Sequence, residues 1–161
     1  MKAIINKNTK ATVAILSLLA FGALSATVPD FKIVSISAYL FYNHSGTFSE
    51  NLIDNEDFIL WNIVIGEGSA AEPSDATLVV VEVKGTPGSY EIRQVELIAG
   101  AGEQVILSET SEIGVLGEDG IYRAGFWLYG TGCLPVKLAA AIKGQTKESK
   151  LEKVIDFACG E

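Results

Sequence analysis

Downstream of residue 30, apolar side chains recur at every second position in short runs, and nowhere do they recur at helical spacing over more than about two turns. That pattern restricts the chain to β-strands, because successive side chains on a strand face opposite sides and one buried face needs one apolar residue in two. The run FKIVSISAYLFY (31–42) places Val34, Ile36, Ala38, Leu40 and Tyr42 on one face and Phe31, Ile33, Tyr39 and Phe41 on the other. Both faces carry apolar groups, so this strand is expected to be central or covered. FILWNIVIG (58–66), rich in β-branched and aromatic residues, reads as a second strand, and ATLVVVEVKG (76–85) as a third. YEIRQVELIAG and EQVILSET, joined through AGAG, form a predicted hairpin. IYRAGFWLYG (121–130) sets Tyr122, Ala124, Phe126 and Leu128 inward and Trp127 and Tyr129 outward, and two further strands close the chain.

The connections hold the Gly, Pro, Asn and Asp that end regular structure. About seven to eight short antiparallel strands in one domain predict an all-β fold, a β-sandwich of immunoglobulin-like layout, ahead of a small barrel. The cysteine–tryptophan–cysteine spacing of antibody domains is absent, since both cysteines follow Trp61 and Trp127.

The N-terminus has a different character. Lys2, Lys7 and Lys10 precede an uncharged, mostly apolar stretch from Ala11 to Leu24 that ends in small residues, the layout of a secretory signal peptide. At 1.5 Å per residue this stretch reaches about 21 Å as a helix, short of the ~30 Å a permanent span must cross. Residues 1–26 are therefore expected to be a helical signal peptide cleaved after Ser25 or Ala26, and residues 27–161 a single domain with no stable membrane span. The expected location is secreted or periplasmic.

An oxidising compartment makes a disulfide the first expectation for the two cysteines, Cys133 and Cys159. They bracket LPVKLAAAIK and KLEKVIDFA, which the polar GQTKES joins, so a hairpin would set 133 opposite 159 and staple its open ends. The best match of apolar faces pairs Val136 with Phe157 and Leu138 with Ile155, one residue out of step with the cysteines; a bulge near Gly132 or Pro135 would absorb the difference. A reactive thiol would want a base nearby, whereas the single histidine, His44, is remote in sequence, and zinc would want more than two cysteines and one histidine.

Charge narrows the partners. Setting aside residues 1–26, nine basic residues face 20 acidic ones, a net of −11, and between Glu50 and Asp119 there are 15 carboxylates against Lys84 and Arg93. A nucleic-acid partner is disfavoured, because that affinity comes from Lys and Arg neutralising phosphates. Ca²⁺ is the one cofactor the acids suggest, with Asp54, Glu56, Asp57, Glu118 and Asp119 as loop ligands, although neither stretch has EF-hand spacing. No other cofactor is indicated. Glycoside cleavage needs two carboxylates at a set separation, and nothing marks a pair here as buried.

Catalysis through a triad would fall to His44, beside Ser45, but adjacent residues point in different directions and no G-x-S-x-G elbow is present. The expectation is a non-enzymatic binding module with a protein or glycan partner, engaged through an acidic face or through the exposed aromatics Trp61, Trp127 and Tyr129. Two alternatives follow from the same residues: an acidic inhibitor or immunity-type protein directed at a basic partner, and a carbohydrate-binding domain.

Overall fold

Strands form where the alternation is strongest. The computed structural model describes residues 30–90, 92–131 and 133–159, so the expected signal peptide at 1–26 lies outside the described residues. Among the described residues there are eight strands: β1 (Lys32–Tyr42), β2 (Thr47–Phe48), β3 (Ala76–Lys84), β4 (Gln94–Ala101), β5 (Gln104–Glu112), β6 (Ile121–Tyr129), β7 (Val136–Lys143) and β8 (Lys150–Ile155). They form two antiparallel four-stranded sheets, ordered β2-β1-β3-β6 and β5-β4-β7-β8. Among the described residues no helix is long and apolar enough to cross a membrane.

The sheets turn their apolar faces to one shared core. Val79, Val81, Phe126 and Leu128 of the first sheet join Val95, Leu97, Leu138 and Ile155 of the second in a single buried cluster. Each such side chain stabilises the fold by about 1.5–3 kcal/mol when fully buried. The chain crosses between sheets at 85–93, 113–120 and 130–135; the β1–β2 and β2–β3 connections stay within the first sheet, and the hairpins β4–β5 and β7–β8 within the second. The β4–β5 turn at Gly102 and Glu103 is tight, with Gly102 at φ 58° in the left-handed region that favours glycine.

The first crossover passes close to the start of β1. A Cβ built on Gly85 would lie 2.5 Å from the Phe31 ring and 2.8 Å from Leu116, both buried, so neither neighbour can swing into solvent. Gly85→Ala is therefore expected to cost about 1–3 kcal/mol through overpacking, measured as a lower urea midpoint with an unchanged slope.

Along its other edge β1 is completed by side chains rather than by a long partner strand. Gln145 Oε1 accepts from Phe31 N at 3.0 Å while its Nε2 donates to Phe31 O at 2.9 Å, and Ser149 Oγ accepts from Ile33 N at 2.9 Å. Further along, Asn51 Oδ1 and Ser49 Oγ accept from Ala38 N and Leu40 N at 3.0 and 2.9 Å. These contacts satisfy backbone donors that a bare edge would present to other chains, and those from Gln145 and Ser149 tie β1 to the β7–β8 loop of the other sheet.

Three sequence expectations are corrected. FILWNIVIG is not a strand: it is a run of turns, with Asn62 at φ 48° and Gly66 at φ 89°, and among the described residues its one ladder contact is a parallel bridge from Trp61 to Ala158. Ile63 is buried while Ile59, Trp61, Val64 and Ile65 are exposed, a distribution no straight strand produces. Second, a register shift between Ile33 and Ser35 changes the phase of β1, so Phe31 and Ile33 join Ile36, Ala38, Leu40 and Tyr42 in the core and Val34 turns outward.

Third, the closing hairpin pairs Val136 with Ile155 and Leu138 with Lys153, two residues away from the expected match. A two-residue slip leaves every side chain on its own face, so alternation alone does not choose between the registers. The observed one frees Phe157 to run past the end of β8 into the core, and brings Lys153 into an ion pair with Asp54.

Candidate functional site

The outward residues of the first sheet fall into rows across its strands. At the Tyr42 end one row reads Phe48, Phe41, Ala76, Tyr129, and the next reads Tyr39, Leu78, Trp127. Farther along come Ser37, Val80, Gly125 and then Ser35, Glu82, Arg123. Aromatic side chains are thus gathered at one end of the face, and polar ones at the other. A solvent-facing row of this kind departs from the usual polar outer side of an antiparallel sheet.

Four rings form a contiguous cluster. Phe41 meets Trp127 edge-on, with centroids 5.7 Å apart and planes at 83°. Phe48 lies 5.2 Å from Phe41 and 6.3 Å from Trp127, and Trp127 stands nearly parallel to Tyr129 at 6.3 Å. Edge-to-face pairs at such separations contribute about 0.5–1.5 kcal/mol beyond burial, so the rings hold one another in place without a covering segment. Tyr129 nevertheless remains 70 % exposed, Phe48 46 % and Trp127 37 %.

These rings line an open cavity of about 430 Å³, completed by Asn43, Asp75 and Ala76. A second hollow of about 260 Å³ shares Asn43 and Asp75 and adds His44, Val64 and Pro73. Asp75 is fixed at the junction by its backbone, since its carbonyl accepts from Gly130 N at 2.9 Å. The neighbouring Ser74 hydroxyl donates to Phe41 O at 2.8 Å, locking the 73–75 segment against β1.

The local charge is one-sided. Residues 43–75 contain Glu50, Asp54, Glu56, Asp57, Glu67, Glu72 and Asp75, seven carboxylates, and no lysine or arginine. The single cation of β6, Arg123, sits four residues from Trp127 and is engaged by Glu82 at 2.8 Å and Asp119 at 3.7 Å. Lysines concentrate around the β7–β8 loop instead, where the hydrogen bond to Lys150 holds the Glu148 carboxyl below its ordinary value and Glu148 raises Lys150 in turn.

Of the sequence-predicted aromatics, the structure brings Trp127 and Tyr129 together and leaves Trp61 apart. Trp61 is half-exposed on the turn-rich segment beside Ala158. The residues missed in the sequence are Phe48, embedded in a polar loop, and the rim pair Asn43 and Asp75. A clue to Phe48 was present in the Gly46 turn: its φ of 69° folds the chain back so that Thr47 and Phe48 pair with Tyr42 and Phe41.

His44 is exposed at the rim, and the neighbouring Ser45 hydroxyl shares a hydrogen bond with Thr47 Oγ1 at 2.8 Å. The acids considered as calcium ligands lie in separate places: Asp54, Glu56 and Asp57 on the long loop, Glu118 and Asp119 in the turn before β6. Asp54 is paired with Lys153, and Asp119 accepts from Ile121 N at 3.0 Å. Among the described residues no group of three His, Cys, Asp or Glu is placed to hold a metal ion.

Cys133 and Cys159 form a disulfide with Cα atoms 4.6 Å apart. The bond joins the segment leading into β7 to the tail after β8, which also exchanges backbone hydrogen bonds with the turn-rich segment: Ala158 N donates to Leu60 O and Asn62 N to Ala158 O, both at 2.9 Å. A disulfide is consistent with an extracellular or periplasmic protein. Compared with known protein families and with curated proteins, the sequence matches none.

Proposed function

We propose that this protein is an exported, non-enzymatic binding module, a β-sandwich of immunoglobulin-like layout that engages its ligand through the aromatic face at the Tyr42 end of the first sheet. The sandwich reading is supported by the single core shared by the two sheets and by the repeated crossing of the chain between them. Export to the periplasm or beyond is supported by the N-terminal sequence pattern and by the disulfide.

The observation that carries the binding reading is the gathering of Phe41, Phe48, Trp127 and Tyr129 around an open cavity on a solvent face. Clustered exposed aromatics are what interaction sites are enriched in, since rigid rings give large contact area at little entropic cost. The test is capture of the natural partner by the mature protein at low salt. With Trp127→Ala and Tyr129→Ala combined, retention should fall at least tenfold with the variant still folded at the assay temperature, although losing the ring contacts of Trp127 lowers its unfolding midpoint. Undiminished capture by the double variant would refute the reading.

A second reading, an acidic inhibitor or immunity-type protein, is favoured by the seven carboxylates and absent Lys and Arg of residues 43–75. It predicts association that slows steeply with added salt, as electrostatically steered encounters do, and an unaltered rate in high salt would remove it.

A further inference from the structure

We infer that the aromatic cavity is a subsite for an organic ammonium group. This rests on the binding reading above and adds the chemistry of what is bound. A sugar lays one face of its puckered ring on a flat aromatic platform; here Trp127 and Tyr129 lie within 16° of parallel, but Phe41 stands at 83° to Trp127 and at 50° to Phe48, and Phe48 at 34° to Trp127. Rings set at such different angles present walls in several directions, which suits a compact, rounded group.

Polar lining points the same way. A sugar offers many hydroxyls and rewards many hydrogen-bonding side chains, but among the described residues only Asn43 and Asp75 supply ionic or amide groups to this cavity. A trimethylammonium or alkylammonium head group asks for less: aromatic faces within about 6 Å, where the ring quadrupole attracts the cation, and one carboxylate to balance its charge. Tryptophan is the strongest of the aromatic partners for a cation, and Trp127 touches both Phe rings and Tyr129.

Among the described residues none that lines the cavity is basic, and the cation of β6, Arg123, is drawn away by Glu82 and Asp119. Asp75 lines the cavity, and the segment 43–75 that supplies its Asn43 and Asp75 rim carries seven carboxylates and no lysine or arginine, so the charge there favours a cationic ligand over an anionic one. The volume, about 430 Å³, is in the range of small-ligand sites.

The experiment follows the two tryptophan indole N–H signals by NMR, assigned with Trp61→Phe, while mature protein is titrated at fixed ionic strength. The probes are choline, its uncharged isostere 3,3-dimethylbutan-1-ol, Nα-acetyl-lysine amide and cellopentaose. Choline or the lysine derivative should shift the Trp127 signal saturably and leave Trp61 in place, with about tenfold or greater preference over the isostere. Choline leading identifies a small molecule or head group as the source; the lysine derivative leading identifies a basic protein side chain.

Asp75→Asn should weaken ammonium binding severalfold with the fold intact, and Trp127→Ala should abolish it. Equal affinity for the isostere, a response to cellopentaose alone, or no saturable shift with either ammonium probe overturns the inference. If those results coincide with partner capture that still requires Trp127 and Tyr129, the binding reading stands and only the ammonium chemistry falls.

Discussion

Phe157→Ala should remove about 3–5 kcal/mol of stability, a large fraction of what a domain of this size possesses. Phe157 lies beyond the end of β8, yet it is only 1 % exposed and belongs to the shared core. Truncation would leave a cavity in a region where the tail is held from both sides. Ala158 is hydrogen-bonded to Leu60 and Asn62 on one flank, and Cys159 is covalently joined to Cys133 on the other. A backbone so constrained cannot collapse into the void, which places the cost toward the upper end of the range for lost aromatic side chains. Equilibrium urea unfolding measures it, as a drop in midpoint. A change below about 1 kcal/mol would mean that the tail does not pack as described.

The disulfide supplies the second large effect. Opening it in a Cys133→Ser, Cys159→Ser double variant should cost about 3 kcal/mol, because a loop spanning a sequence separation of 26 would regain its freedom in the unfolded chain. The loss should appear in the same denaturant assay, and the oxidised wild type treated with a reductant should converge on the double variant. Trp127 and Tyr129 lie on β6, held by nine paired positions along β3, so ligand binding by the folded double variant should persist. Loss of binding without loss of folding would show that the bond positions the site rather than merely closing the chain.

These two effects also show which parts of the fold are legible from residues alone. β1, β3, β4, β6 and β7 each carry a period-two code strong enough to locate them, and the outward placement of Trp127 and Tyr129 follows from that code directly. FILWNIVIG carries equally β-prone residues but is bent by the left-handed Asn62 and Gly66, and Gly68 just beyond it is left-handed too. A Cβ on Gly68 would sit 2.4 Å from the Ile59 carbonyl oxygen, so this segment closes on itself in a way only a glycine permits.

The register of the last hairpin was invisible for a different reason. Val136 opposite Ile155 and Val136 opposite Phe157 satisfy the same alternation, and the choice is made by long-range contacts: Gln145 and Ser149 gripping β1, Lys153 meeting Asp54. The candidate site was half legible. Its two β6 rings could be read from the strand pattern, whereas Phe48 and Asp75 come from loops that only sheet pairing brings beside them. Asp54, Glu56 and Asp57 illustrate the converse, since adjacency of acids in sequence did not gather them around a common centre.

The central claim is that the ligand contacts the aromatic face at the Tyr42 end of the first sheet. The chain has two tryptophans, Trp61 on the turn-rich segment and Trp127 within the ring cluster, so each reports on a different surface. The most direct measurement is the pair of indole N–H resonances as the partner captured from the native exported fraction is added. The account predicts that the Trp127 signal moves or broadens in proportion to bound partner while Trp61 stays fixed; a Trp61 response with Trp127 unchanged would contradict it.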